Sequence, residues 1–287
     1  MSTEQYPVPS ALPRLTASRY VQPLREGGSL PAIVDTDGGL YVVKFRGAGQ
    51  GPKALVAEVI VGLLAESLGL ATPSLALVEL PESFGRSEPD PEIQDLLRGS
   101  RGLNVGLRFL EGAFNFDPSA AGEFVTPDFA SLVVWLDAFT TNPDRTHRNP
   151  NLLIWGRAPW LIDHGAALYA HHAWETVDEA RTRTPFPLIE KHVLLARAER
   201  IAEVDEWASA RLNAALFEEI LARVPEELLV EGVSGVDGVA AAADAARRRY
   251  VAYLTTRLEA PRRWVEEAIA VRGRVLSEPV RRLSARR

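Results

Sequence analysis

Between Asn142 and Gly165 the chain carries its most constraining stretch. A loop, Asn142-Pro-Asp-Arg-Thr-His-Arg-Asn-Pro-Asn151, is too polar and proline-bearing for a helix interior, and it runs straight into apolar Leu152-Leu-Ile-Trp155. The turn residues Gly156-Arg-Ala-Pro159 follow, then Trp160-Leu-Ile162 and Asp163-His-Gly165. Two β-prone runs around a glycine-bearing turn predict a β-hairpin. A hairpin returns the chain alongside itself, so Asp163 comes back beside Asn149 and Asp144. Three acceptor side chains then face one small volume.

Hard oxygen donors of this kind suit magnesium rather than zinc. Kinases use one Asp to receive the acceptor hydroxyl's proton, and an Asn and a second Asp to hold the magnesium that bridges ATP phosphates. Asp144, Asn149 five residues on, and Asp163 across a hairpin have that layout. The blander account is that Asp, Asn and Pro gather in any surface loop.

Upstream the chain is β-rich. Residues 1–16 read as an extended, proline-bearing lead-in, and Tyr20–Leu24, Ala32–Val34 and Leu40–Phe45 as three consecutive antiparallel strands, the last two joined by an Asp-Gly turn. Gly27, Gly28 and Ser29, between the first two strands, could lay backbone amides over phosphates, or serve only as turn formers. Lys44 interrupts an apolar strand, which makes it a candidate to grip phosphates or a surface lysine on a half-exposed strand. A helix is expected from Pro52 to about Leu68, ended by Gly69. Glu58 within it could hold Lys44; Glu66 is the competing acid and Lys53 the competing cation. Strands are expected over 73–80 and 103–110, and residues 108–114, with Leu110 and Glu111 at their centre, form the expected hinge whose backbone would meet adenine.

From Pro127 the pattern turns helical, with Phe129, Leu132, Val133, Leu136 and Phe139 on one face and Thr126 or Asp128 as cap. Further helices are expected over 190–200, 204–223, 235–259 and 261–272. Adjacent His171 and His172 do not share a helix face, so a metal site there is disfavoured; His147 and His192 read as structural or surface residues. Of 287 residues none is Cys, which removes thiolate chemistry and fits a reducing cytoplasm, and the net charge of −6 gives no support to nucleic-acid binding. No signal segment or membrane-length apolar run is visible.

Taken together, Gly28-Ser29, Tyr41-Val-Val-Lys44, the helix ending Leu68-Gly-Leu-Ala-Thr-Pro73, Asp144-x-x-x-x-Asn149 and Ile162-Asp163 resemble the HipA-type kinases, bacterial relatives of the phosphoinositide-kinase-like branch of the protein-kinase-like superfamily. The resemblance implies an α+β, two-lobed protein-kinase-like fold. Residues 1–110 would be an antiparallel β-sheet lobe with one helix that binds ATP, and 111–287 a mostly α-helical lobe with the catalytic loop and metal-binding hairpin. It further implies ATP and Mg2+, and transfer of the γ-phosphoryl group to a Ser or Thr hydroxyl of a protein. Asp144 would be the base, Asn149 and Asp163 the magnesium ligands, Lys44 the phosphate grip, and Ser29 a candidate self-phosphorylation site. Relatives often carry His two residues after the catalytic Asp. Here Thr146 stands there and His147 follows, so Arg145, Arg148 or His147 would stabilise the transferring group. The alternatives are a small-molecule kinase of the aminoglycoside-phosphotransferase kind, with an acidic pocket from Glu175, Asp178, Glu179 and Glu190, and a catalytically silent nucleotide-binding scaffold. A protein or small-molecule acceptor is the expected partner, with no membrane and no direct nucleic-acid contact.

Overall fold

The structure is a computed structural model that describes residues 11–24, 30–86, 88–119, 122–230 and 235–277. The expected glycine loop, Gly27 to Ser29, lies outside the described residues.

The first half is built on β1 (Arg14–Pro23), β2 (Ala32–Thr36), β3 (Gly39–Lys44), α1 (Gly51–Ser67), β4 (Leu75–Leu80), α2 (Pro91–Gly99) and β5 (Gly102–Arg108). The strands form a closed barrel in the order β1-β2-β3-β5-β4. This corrects the expected antiparallel sheet: β1 pairs parallel with β4, Arg14 opposite Leu77 and Thr16 opposite Glu79. Arg14 to Thr16, read as lead-in, close the ring. Register shifts after Ala17 and Tyr20 break the two-residue period of β1 and bend it between two partners, which is why its first half does not read as a strand while Tyr20 onward does. The interior is tight. A Cβ on Gly106 would meet Val78 Cγ2 at 2.8 Å, so β5 needs glycine where β4 crosses it.

Along β4 the two-residue period sorts the core. Ala76, Val78 and Leu80 pack inside the barrel, and Leu75 and Leu77 pack outward into the core that includes α1. Helix α1 is apolar all round and buried almost throughout from Leu55 to Ala65, as such a helix must be.

β6 (Phe114–Asn115) leads to α3 (Pro127–Phe139), capped by Thr126, whose side chain accepts from Phe129 N. The hairpin is β7 (Leu152–Trp155) and β8 (Ala158–Leu161), and β6 joins it in one sheet. Its turn is two residues, not four: Gly156 and Arg157 both have positive φ, at 56° and 65°, so Ala158 already pairs with Trp155.

The rest is α4 (Glu179–Thr182), α5 (Ile201–Ser209), α6 (Ala214–Leu221), α7 (Glu226–Leu229), α8 (Val236–Leu258) and α9 (Arg263–Ser277), with 3-10 turns at Tyr169–Thr176, Pro187–Lys191 and Leu195–Arg197. Residues 190–200 are therefore short turns rather than a helix. The run 204–223 is two helices, the second started by Asn213, whose side chain accepts from Leu216 N. The fold is α+β, and no described helix is long and apolar enough to cross a membrane.

Candidate active site

Three elements meet at Lys44. The end of β3 places its ammonium 2.6 Å from Glu58 Oε2 on α1 and 2.5 Å from Asp163 Oδ1 just past the hairpin. Glu66 instead accepts from Thr72, and Lys53 donates to the His171 carbonyl, so both competing partners are engaged elsewhere. Burial works against every charge here. It would neutralise Lys44, but the two carboxylates overcome it and hold the ammonium charged. Burial would likewise raise Asp163, yet Lys44 outweighs it and keeps that carboxylate below its usual range. Glu58 is fully buried, and burial raises it despite Lys44. Its Oε2 takes both Lys44 and the His164 N–H at 2.8 Å, while Oε1 has no hydrogen-bond partner among the described residues.

The loop after α3 presents Asp144, which is half-buried. Asn149 Nδ2 donates to Asp144 Oδ2 at 2.7 Å and Asn151 Nδ2 donates to the same oxygen at 3.1 Å. Both bonds fall on Oδ2. Burial raises the proton affinity of Asp144; the Asn151 amide opposes this, and the Asp163 charge adds to it. Asn151 and Asp163 bracket the hairpin with positive φ, 48° and 55°. Asn and Asp are the side-chain-bearing residues that best tolerate this conformation, so the backbone selects them as the chemistry does.

Arg145 does not share the space of Asp144. It is 1% exposed. Its Nε donates to Asp137 Oδ2 at 2.6 Å, one terminal nitrogen bonds the carbonyls of Asn151 and Ile162, and the other lies 3.5 Å from His164 Nδ1. With every nitrogen engaged, the guanidinium clasps both ends of the hairpin and acts by positioning. Asp137, on α3, also accepts from His192 Nε2 at 2.9 Å and Asn142 Nδ2 at 3.1 Å. Burial opposes its charge, and Arg145 and His192 hold it far below the usual range all the same. His147 and Arg148 are exposed.

A cavity of about 310 Å³ opens beside Lys44, lined by Val42, Leu107, Leu110, Asn149, Asn151 and Asp163 among others. One wall is apolar and the other carries the oxygen donors, as a nucleotide would require. Leu110 lines it; Glu111 does not, and the Glu111 carbonyl accepts from the Trp155 indole at 2.9 Å. A larger, more open depression of about 820 Å³ lies between β1 and α8, away from these groups. The acidic residues considered for a small-molecule pocket do not converge: Asp178 caps α4, Glu179 pairs with Arg183, and Glu175 and Glu190 are exposed.

A family model described as HipA-like kinase matches residues 20–249. The chain belongs to the HipA-like kinases. No curated protein matches the sequence. The crystal structure of a Helicobacter pylori proinflammatory kinase, CtkA, is similar at 13% identity and a TM-score of 0.47, with 86% of this chain and 98% of that one covered. As a HipA-like kinase the protein is a phosphotransferase.

Sequence reasoning missed two parts of this site, Asn151 and Asp137, and the partner of His192, which reads from sequence as a structural or surface residue. Asn151 supplies the second amide on Asp144, and it stands in the same polar loop, two residues past Asn149. Asp137 was legible in principle, as the lone acid in the apolar run Leu132 to Phe139, the same signal that marked Glu58 in α1. His192 carried no signal, because its partner is 55 residues away.

Proposed function

We propose that the protein is an ATP- and magnesium-dependent kinase that transfers the γ-phosphoryl group to a Ser or Thr hydroxyl of a protein, itself included. The observation that carries this reading is the single Lys44 ammonium shared between Glu58 and Asp163, on the wall of a cavity that Asn149 and Asn151 also line. Lys44 has three N–H donors and two are used, so one is left for a phosphate oxygen.

The donor set fits magnesium. Two carboxylates, Glu58 and Asp163, share the Lys44 ammonium, and the Asp144 carboxylate lies near enough to Asp163 to feel its charge; such a surplus of negative charge calls for a cation. Magnesium keeps waters and substrate phosphates as ligands and needs only one or two protein carboxylates. Asp163 and Asn149 would hold it, and when bound it would neutralise charge developing on the transferred group. Asp144 Oδ1 would take the acceptor's proton while its two amide donors fix the carboxylate plane. Arg145 holds Asn151 and Ile162 and so sets the distance across the hairpin. Residues 1–110 would form the ATP-binding lobe and 111–287 the lobe that carries the loop and hairpin; the protein would work in the cytoplasm.

Incubation of the purified protein with radiolabelled ATP and magnesium tests this, wild type beside Asp144→Ala. Label on wild-type protein or on protein in a cell extract, absent with Asp144→Ala, is the expected result. ATP bound but label appearing on no protein would point to a small-molecule acceptor, and absence of ATP binding would overturn the kinase reading.

A further inference from the structure

A second cavity, of about 410 Å³, lies outside the nucleotide site, between α1, the 3-10 turn at Tyr169–Thr176, α7 and α8. Its volume is in the range of small-molecule sites, roughly 300–1,000 Å³. The walls are mostly apolar: Val56 from α1, Leu228 from α7, and Ala242 and Ala246 from α8, whose short side chains at four-residue spacing leave that wall recessed. Trp174 and Tyr250, both lining the cavity, form an aromatic wall with ring centroids 5.1 Å apart, and Trp174 also lies 5.6 Å from Tyr253.

Two cations break this apolar lining, and among the described residues no Asp or Glu lines it. Lys53 donates to the His171 carbonyl at 2.7 Å, and the Arg249 guanidinium sits 5.5 Å from the Trp174 ring centroid. Neither has a carboxylate within 4.0 Å among the described residues, whereas Arg247, two positions from Arg249, pairs with Asp244. An apolar recess with an aromatic wall and two cations that pair with no carboxylate among the described residues is complementary to an apolar body that carries one anionic group.

We propose that this cavity binds a small anionic amphiphile, a carboxylate or phosphate on an aromatic or short acyl body, with Lys53 and Arg249 taking the charge and Trp174 and Val56 the body. Lys53 stands on α1, five residues before Glu58. An anion that draws Lys53 from the His171 carbonyl therefore acts on the helix that holds Lys44. The effect on turnover rests on the kinase reading; the binding does not.

The test uses three probes that share one body: naphthoate, naphthyl phosphate and naphthamide. Each is titrated by calorimetry into the full-length protein and into Lys53→Met, Arg249→Met and the double variant, with thermal melts as fold controls. At least one anion is expected to bind about tenfold more tightly than the neutral amide. Each single variant should cut that preference, and the double variant should erase it. Whichever anion binds more tightly assigns the head group. Equal binding of amide and anions, binding indifferent to both substitutions, or no binding of any probe would overturn the proposal. A probe lodged in the nucleotide cavity would be displaced by ATP and would ignore Lys53. If the variants do not fold, the comparison of the three probes on wild type still decides.

Discussion

Two buried ion clusters flank the stretch from Asn142 to Asp163, and they are built on opposite principles. Around Asp137 the balance closes: one carboxylate meets one guanidinium, an amide and an imidazole, and Asp137 and Arg145 are both fully buried. Around Lys44 it does not. One ammonium serves two carboxylates, a Glu58 oxygen has no partner among the described residues, and the Asp163 side chain is 33% exposed. A closed cluster holds geometry, because removing either Asp137 or Arg145 strands the other's charge in a low dielectric. An open cluster with surplus charge costs stability and is kept where a ligand completes it. The chain thus builds a closed ion cluster and an open one around the same loop.

The widest separation between the two should appear in activity. Asp144→Ala is expected to lower phosphoryl transfer by about 10²–10⁴-fold, the range for a lost general base, while nucleotide affinity and melting temperature stay near wild type. A large drop in melting temperature would place Asp144 with the structural cluster instead.

Stability should separate them in the other direction. Arg145→Met leaves Asp137 buried without its cation and is expected to cost about 3–5 kcal/mol, a fall of roughly 6–20 °C in a thermal melt. Lys44→Met should cost about 1–3 kcal/mol, because Glu58 can take up a proton and Asp163 can turn to water. Equal losses for the two variants would break the comparison.

The smallest effect is on the pH axis. Burial, only partly offset by Asp137, holds His192 below the ordinary histidine range, and burial pushes His171 down to about 3. For both, the folded value lies below the unfolded one, so the unfolded chain binds more protons in between. Stability is therefore full above about pH 6.5 and falls as the pH drops, by about 1.4 kcal/mol per unit for each histidine. Denaturant titrations of His171→Gln should show a slope shallower by one proton between about pH 6 and 4. An unchanged slope would mean that His171 charges in the folded protein.

Local signals account for what the sequence made legible. The hairpin, the Thr126 cap, the apolar helix α1 and the end of β3 at Lys44 are each written within a few residues, where turn chemistry and periodicity act. The same local reasoning misread Arg14 to Thr16, because proline suggested a lead-in and two bulges hid the strand, and it joined α5 to α6 across the Asn213 cap.

The sequence by itself determined which side chains were available for the chemistry: Lys44, Glu58, Asp144, Asn149 and Asp163 are each the polar exception in an apolar run or the core of a turn-rich loop. Only the tertiary structure decided how they pair. Glu58 rather than Glu66 takes Lys44, Asp163 shares that ammonium, and Arg145 turns away to Asp137. The reason is physical. Propensity and periodicity act over a few bonds, whereas the charge state and partner of a buried group depend on which distant segments exclude water around it, here 119 residues apart for Lys44 and Asp163.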